Sequence, residues 1–145
     1  MPRIMGLDVG DERIGVALTD PMLITAQPYS IIERKDRYID KLLQLIGELE
    51  IVEVVVGLPL ELNGSAGSQA QKVKAFATKL RAAMRKRDFG REVVVELLDE
   101  RYSTAEAQRV LMGSGLRNRD RSAALDRVSA ALILESYLTQ RQQRR

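Results

Sequence analysis

The first part of the chain alternates hydrophobic and polar positions with the two-residue period of β-strands. Residues 2–8 form a short apolar run, and the turn-forming residues 9–12 follow it, which predicts a strand that enters a turn. Residues 14–19 alternate between two sets of side chains and predict a second strand, so that the two form a hairpin. A third strand is predicted over residues 26–32, and Pro28 places it at an edge of the sheet or makes it irregular.

From Lys35 onward the spacing changes to that of a helix, with apolar residues at Ile39, Leu42, Leu43, Ile46 and Leu49. A Val-rich run over residues 51–57 then predicts a strand buried on both faces. A second helix is predicted over residues 68–87, and another buried strand over residues 93–98. Strand, helix and strand in this order form a right-handed parallel crossover.

Capping patterns suggest where two helices begin. Ser68 with Gln71, and Ser103 with Glu106, have the spacing of capping boxes, in which each side chain satisfies a free amide of the first turn. The second of these helices is expected to end at Gly113 or Gly115.

A last helix is predicted over residues 122–140. Its segment 128–134 is apolar almost all round except for Ser129, so we expect it to pack against the sheet. The predicted order is β-β-β-α-β-α-β-α-α. It indicates one α/β domain over residues 1–145, with residues 141–145 as a short basic tail.

Composition narrows the chemistry that such a domain can perform. The 145 residues include no Cys, His or Trp. Without Cys, the chain cannot build a zinc ribbon, an iron–sulfur site or a thiol nucleophile. Without His, an enzyme of this sequence has no imidazole for proton transfer or metal binding. Carboxylates, hydroxyls, Lys, Tyr and a bound metal remain as catalytic groups.

The hydrophobic pattern also predicts where the protein works. Apolar runs are far shorter than the roughly 20 residues that span a membrane, so we expect no membrane partner. Asp8 would interrupt the apolar region of a signal peptide, which predicts that the chain is not secreted. The lack of Cys agrees with a cytoplasmic location.

Three acidic residues stand in apolar surroundings, where a carboxylate needs a cation or a hydrogen-bond donor. Asp8 ends the first strand, Glu100 follows the strand over residues 93–98, and Asp126 lies in the last helix. In an open α/β sheet, strand ends and a neighbouring helix can converge on one cleft. Three carboxylates there would bind a hard divalent cation such as Mg²⁺ or Mn²⁺.

The stretch over residues 6–17, GLDVGDERIGVA, closely resembles the opening motif of the YqgF/RuvX family. Three further segments match that family in order: VGLPL with Gly64, then DERYST over residues 99–104, then Asp126-Arg127 with the small and apolar residues after it. Members are described as candidate Holliday-junction resolvases and, in bacteria, as nucleases that mature the 5′ end of pre-16S ribosomal RNA.

The resemblance implies an RNase H-like α/β fold with a mixed five-stranded sheet flanked by helices, similar to the RuvC resolvase. It also implies that Asp8, Glu100 and Asp126 form a catalytic triad for divalent metal, with two ions of Mg²⁺ or Mn²⁺ expected. Our mechanistic hypothesis is that Asp8 bridges the two metals and each of the other two carboxylates holds one. The expected substrate is structured RNA or a four-way DNA junction, and junction cleavage would favour a homodimer.

Several polar residues are candidates for substrate binding. Arg13 and Arg101 could grip a phosphate or orient a carboxylate. Ser103 and Thr104 stand at a predicted helix start, where free amides attract phosphate. The loop over residues 59–67, with Asn63, could contact the nucleic-acid backbone or only connect two elements. Residues 68–91 contain eight basic side chains, Lys72 among them, against one acid, which fits a phosphate-tracking surface or a solvated helix face.

Structural explanations exist for each candidate site residue. Asp8 could initiate a turn, Glu100 could pair with Arg101, and Asp126 could complement a helix dipole. Ser103 could act only as a helix cap.

Two other functions also stay open. One is a nucleic-acid-binding or ribosome-assembly module that does not cut. The other is a fragment of an actin-like or sugar-kinase-like ATPase, whose phosphate-binding motif resembles residues 8–10. Length disfavours the ATPase, because those enzymes bind nucleotide between two such domains.

Overall fold

The computed structural model describes residues 2–61, 63–101 and 123–143, with the side chains of residues 123–127 excepted. Within these ranges the chain forms five strands and three helices: β1 (Arg3–Val9), β2 (Arg13–Thr19), β3 (Ala26–Glu33), α1 (Tyr38–Glu48), β4 (Ile51–Leu58), α2 (Ser68–Arg85), β5 (Val94–Asp99) and α3 (Ala123–Gln143). The helix predicted to begin at Ser103 lies outside the described residues.

The strands form one mixed sheet in the order β3-β2-β1-β4-β5. β2 pairs antiparallel with both β1 and β3, which makes the predicted hairpin. β4 pairs parallel with β1 and with β5, so that the predicted crossover through α2 is present. The prediction of a mixed five-stranded α/β sheet is confirmed.

The edge strand β3 explains where the chain tolerates a proline. Pro28 lies opposite Ala17, next to a register shift between Val16 and Ala17. Because β3 has a partner on only one side, the missing amide hydrogen of Pro28 interrupts no second ladder. The edge position predicted from Pro28 is confirmed.

Each face of the sheet packs against different helices. Met5, Leu7 and Val9 of β1 join the larger core beneath α1 and α2, with Leu42 and Phe76 among their companions. The alternate positions of the same strands face α3, where Ile4, Val55 and Leu98 join the helix residues Ala130, Ile133, Leu134 and Leu138. The fold therefore has three layers, with α1 and α2 on one side and α3 on the other.

Helix α3 approaches the sheet very closely. A Cβ atom on Gly6 would lie 2.8 Å from the Leu134 Cβ and 3.1 Å from the Ala130 carbonyl oxygen. The prediction that α3 packs on the sheet is confirmed, but the buried side chains differ from the expected set. Val128 is 45% exposed, whereas Ser129 is buried. The small side chain of Ser129 suits this close contact better than a branched one.

A polar contact also holds α3 against the sheet. The Tyr137 hydroxyl donates a hydrogen bond to Glu53 of β4, and an Arg141 Nη1 lies 3.8 Å from the other oxygen of that carboxylate. Burial raises the pKa of Tyr137 above its ordinary value of 10.0, and the neighbouring Glu53 carboxylate raises it further. The hydroxyl therefore stays protonated and remains a donor at neutral pH.

Two helix starts differ from the sequence prediction. Helix α1 begins at Tyr38 rather than Lys35, because Arg37 adopts the left-handed backbone conformation with a φ of 50°. Helix α2 is capped by Gly67 rather than Ser68, and no side chain caps it, so the capping box with Gln71 does not form. A Cβ on Gly67 would lie 2.7 Å from a Glu61 carboxylate oxygen, so no larger residue fits at this cap without a shift. None of the helices in the described ranges is long and apolar enough to cross a membrane.

Candidate active site

The carboxyl ends of the parallel strands place two predicted catalytic residues at one end of the sheet. Asp8 is the penultimate residue of β1 and lies opposite Gly15 of β2. Glu100 directly follows β5, and its backbone N–H donates to the Leu58 carbonyl of β4 at 3.1 Å. Since β4 lies between β1 and β5, the two acids flank the end of β4.

Both acids belong to the sheet face that packs against α3. Gly6 contacts α3, and Asp8 is two residues further along the same strand, so the pleat puts both on one face. Glu100 lies beside Ile133 of α3, since a Cβ on Gly57 would meet both side chains. The structure therefore brings Asp8 and Glu100 to the same face at the same end of the sheet.

Gly57 of β4 supplies the space that the Glu100 carboxylate occupies. A Cβ at this position would lie 2.9 Å from both Cδ and Oε2 of Glu100, and 2.6 Å from Cδ1 of Ile133. Glu100 is only 1% exposed, although it carries a carboxylate. Asp8, by contrast, is half-buried and reaches solvent. The carboxylate oxygens of Glu100 are therefore shielded from solvent, whereas those of Asp8 are accessible to it.

The third predicted acid stands on the helix that covers this face. Asp126 belongs to α3, four residues or about one turn before Ala130, whose carbonyl contacts Gly6. Its side chain lies outside the described residues, as do Ser103 and Thr104 entirely. Among the side chains that the structure describes, no three Asp or Glu residues form a group able to hold a metal ion. The triad of Asp8, Glu100 and Asp126 stays a prediction.

Arg101 is held next to Glu100 by Asp99, the last residue of β5. Arg101 Nη2 donates to Asp99 Oδ2 at 2.7 Å, and Arg101 Nε donates to Asp99 Oδ1 at 3.1 Å. The hydrogen bonds from Arg101 lower the pKa of the Asp99 carboxyl and outweigh the opposing effect of burial. Asp99 was not among the predicted site residues, although its place beside Glu100 and Arg101 in the sequence could have drawn attention to it.

The loop over residues 59–67 packs against this ion pair. Gly64 has a φ of +89°, and a Cβ there would lie 3.0 Å from an Arg101 Nη1. The Asn63 side-chain oxygen accepts the Ser65 N–H at 2.9 Å, which folds the loop into a turn. Arg101 thus lies against this loop at Gly64, and Asn63 has a structural role within the loop.

The predicted site residues Arg13 and Lys72 lie beside the β1–β2 turn. Gly10 N–H donates to the Arg13 carbonyl at 2.9 Å, which closes the turn two residues after Asp8. Lys72 of α2 pairs with Asp11 of this turn at 3.2 Å, and both side chains are more than half exposed. Arg13 and Lys72 therefore stand beside the turn, near the end of the sheet that carries the two acids.

Only part of the basic segment over residues 68–91 is available for substrate. Arg91 donates to the backbone carbonyls of Ile46 at 2.6 Å and Ile51 at 3.0 Å, and so joins α1 to the start of β4. Arg81 donates to the Val95 carbonyl at 2.8 Å. These two arginines stabilise the fold, whereas Lys72 stands near the candidate site.

Comparison with known proteins gives a consistent family. The model of the RuvX family, described as Holliday junction resolvase, matches residues 2–140. A protein of Moorella thermoacetica named "Putative pre-16S rRNA nuclease" is 44% identical over 138 residues, covering 94% of each chain. One of Syntrophomonas wolfei with the same name is 39% identical over 138 residues, covering 94% of this chain and 93% of its own.

Solved structures support the fold. The RuvC of T. thermophilus in complex with a Holliday junction substrate has a TM-score of 0.57 at 16% identity, covering 99% of this chain and 97% of its own. A second Thermus thermophilus RuvC structure has a TM-score of 0.54 at 14% identity, covering 97% and 96%. At such low identity the likeness concerns the fold alone, and it confirms the RNase H-like α/β class.

Proposed function

The chain belongs to the RuvX family, and we propose that it is a divalent-metal-dependent endonuclease that hydrolyses phosphodiester bonds in structured nucleic acid. One observation carries this proposal. Asp8 and the buried Glu100 lie on the same sheet face beside Gly57, and because Gly57 has no side chain, the Glu100 carboxylate occupies the space that one would fill. Carboxylates grouped in this way offer the oxygen ligands that a hard divalent cation prefers.

The residues fit a hard divalent cation. Carboxylate oxygens are the ligands that Mg²⁺ and Mn²⁺ prefer, and a chain without His or Cys offers no softer set. When bound, such ions supply an activated water and stabilise the charge that develops on the phosphate. Asp8 and Glu100 would hold them, and Asp126 on α3 is the proposed third ligand. Together these three acids would hold up to two such ions.

The chain's other residues would position the substrate. Asp99 fixes the Arg101 guanidinium at the site through several hydrogen bonds. The guanidinium is therefore already oriented when a phosphate binds to it. Arg13 follows the turn next to Asp8 and provides a second guanidinium. Ser103 and Thr104, which follow Arg101 in sequence, are proposed to contact phosphate as well, and Asn63 and Lys72 to flank it.

Two substrates are in question, because the family description names Holliday junctions and the relatives' names refer to pre-16S rRNA. A side-by-side cleavage assay with Mg²⁺ or Mn²⁺ separates them, using a pre-ribosomal RNA with its 5′ extension and a four-way DNA junction. The proposal expects metal-dependent cleavage of at least one substrate. Cleavage of neither, with binding retained, would favour the non-cutting module instead.

Cleavage of the junction alone would in turn point to a homodimer acting on two strands. Sedimentation of the protein with and without junction DNA tests this point. A monomer that resolves junctions symmetrically would contradict it.

A further inference from the structure

A polar cleft opens on the side of the β1–β2 turn that is opposite Asp8 and Glu100. It has a volume of about 880 Å³ and lies between that turn, the end of β3 and the helices α1 and α2. Four cationic side chains line it, namely Arg34, Lys35, Lys72 and Lys79. Three carboxylates, Asp11, Glu12 and Glu33, line it as well, and Lys72 pairs with the first of these.

Two of the cations converge on one tyrosine. Lys79 Nζ donates to the Tyr38 hydroxyl at 3.1 Å, and Arg34 Nη2 donates to the same oxygen at 3.4 Å. Both also lie over the Tyr38 ring, at 5.0 Å and 4.9 Å from its centroid. Within the described ranges, neither Arg34 nor Lys79 forms an ion pair with a carboxylate. The two cations are therefore held beside one aromatic ring.

The surroundings of Tyr38 show the effect of these charges. Burial tends to raise the pKa of Tyr38, but hydrogen bonds from Arg34 and Lys79 outweigh it and bring the pKa below its ordinary value of 10.0. The Phe76 ring stacks beneath Tyr38, with 6.3 Å between the centroids, and is itself buried. The rings thus support the cations, and Phe76 is not exposed for stacking on a base.

The cleft is connected directly to the candidate active site. Arg34 Nη1 donates to the Gly10 carbonyl at 2.8 Å, two residues beyond Asp8. Gln69 of α2 reaches the Val9 carbonyl at 3.4 Å on the same strand end. The turn that follows Asp8 therefore forms one wall of the cleft, at the end of the sheet where the acids lie.

We propose that this cleft, built on Arg34, Tyr38 and Lys79, is a second phosphate-binding site that holds the nucleic-acid backbone away from the bond to be cut. The inference rests on the proposed function in taking nucleic acid as the ligand. A phosphate oxygen placed between the two cations would receive charge-assisted hydrogen bonds from both. Contacts of this kind position a substrate without reading its sequence.

Binding measured without metal tests the cleft independently of cleavage. Fluorescence anisotropy in EDTA, over a series of salt concentrations, would follow a labelled four-way DNA junction and a structured RNA. Lys79→Met removes one phosphate contact and should reduce the slope of log affinity against log salt by about 0.9 for the DNA. Lys79→Arg should restore that slope. Lys74→Met is the matched control, because it makes the same change on an exposed position of α2 that does not line the cleft.

Each outcome of this experiment decides the inference. A slope for Lys79→Met equal to that of the wild type and of Lys74→Met would overturn it. The same holds if the wild type binds neither probe. Tyr38→Phe provides a second test that keeps the ring, and it should weaken binding less than Lys79→Met does. A protein that shows the Lys79 effect but cleaves nothing would contradict the proposed nuclease alone, whereas cleavage with an unchanged slope would contradict the cleft alone.

Discussion

The two faces of the sheet differ in how closely other groups pack against them and in the charged residues at the end of the strands. On the α3 face, Gly6 and Gly57 let a helix and a carboxylate approach the strands directly, and Asp8 and Glu100 lie at the end of the strands. On the α1 and α2 face, large side chains such as Leu7 and Phe76 fill a thick core. Beyond that core, the cleft places paired cations around Tyr38.

This difference gives the two faces different expected roles. The β1–β2 turn separates the acids from Arg34 and Lys79, while Asp99 restrains Arg101 at the acids' own edge. We therefore expect substitutions on the α3 face to affect catalysis and packing together, and those at the cleft to affect binding.

The largest effect is expected from Asp8→Asn, which keeps the shape of the side chain and removes its charge. Since loss of an outer partner of a metal ligand already lowers activity by about 10–100-fold, loss of the ligand itself should lower cleavage by more than about a hundredfold. Single-turnover cleavage at saturating protein measures this effect. Asp40→Asn is the control, because it makes the same change at an exposed position of α1 that lies neither at the site nor in the cleft. Similar activity in the two variants would remove Asp8 from the site.

A pair of glycines tests the packing difference. Gly57→Ala would push a methyl group into Glu100 and Ile133, so we expect a destabilisation of about 1–3 kcal/mol together with reduced cleavage. Gly47→Ala in α1 meets nothing nearer than the Phe89 ring at 3.8 Å and should stabilise the helix by about 0.5–1 kcal/mol. Urea unfolding compares the two variants. Equal effects from both would mean that the faces do not differ in packing.

The hydrogen bond between Tyr137 of α3 and Glu53 of β4 should contribute to the stability of the protein and to the pH dependence of that stability. Tyr137→Phe removes the hydrogen bond to Glu53 and should lower the free energy of unfolding by about 1.5 kcal/mol at pH 7. The pKa of Tyr137 is raised in the folded state, so its contribution is complete below about pH 10 and is lost as pH rises toward the folded pKa.

Alkaline unfolding curves separate this contribution from others. The wild type should lose stability above pH 10, and the Phe variant should lack that part of the decline. Tyr29→Phe, at an exposed tyrosine of β3, serves as the control. If Tyr29→Phe reduced the loss of stability above pH 10 as much as Tyr137→Phe does, that loss could not be assigned to Tyr137.

The smallest effect is expected from Lys72→Met. Its ion pair with Asp11 is exposed, so we expect the free energy of unfolding to change by less than about 0.5 kcal/mol in urea. Arg91→Met is the contrasting case, because it removes hydrogen bonds to three backbone carbonyls and should destabilise the protein by more than about 2 kcal/mol. Comparable losses would mean that the basic segment does not divide into binding and structural residues.

Much of the fold is predictable because the strands and helices have regular apolar spacing. The Val-rich run of β4 and the proline of β3 also fix the centre and one edge of the sheet. The start of α1 and the cap of α2 are not predictable in this way, since they depend on a left-handed Arg37 and on the extended backbone of Gly67. Val128 and Ser129 exchange their expected burial because distance to the sheet, rather than hydropathy, decides which side chain fits.

The site divides similarly. Asp8 and Glu100 could be found from carboxylates at strand ends, and the structure brings them together. Gly57 was missed because a glycine in an apolar strand has no chemistry of its own, although it often marks a close approach of other atoms. Arg34 and Tyr38 were missed, and Lys79 was noted only as part of the basic segment over residues 68–91. Lys79 is 41 residues from Tyr38 in sequence, so only the packing of α1 against α2 joins the three.

The proposed nuclease depends on metal binding by Asp8 and Glu100, which can be measured by itself. Isothermal titration of Mn²⁺ into the wild type, Asp8→Asn, Glu100→Gln and the control Asp11→Asn requires no substrate and no choice between RNA and DNA. We expect the wild type and the Asp11 variant to bind Mn²⁺, and the other two variants to lose that binding. Binding unchanged by Asp8→Asn and Glu100→Gln, or absent from the wild type, would contradict it.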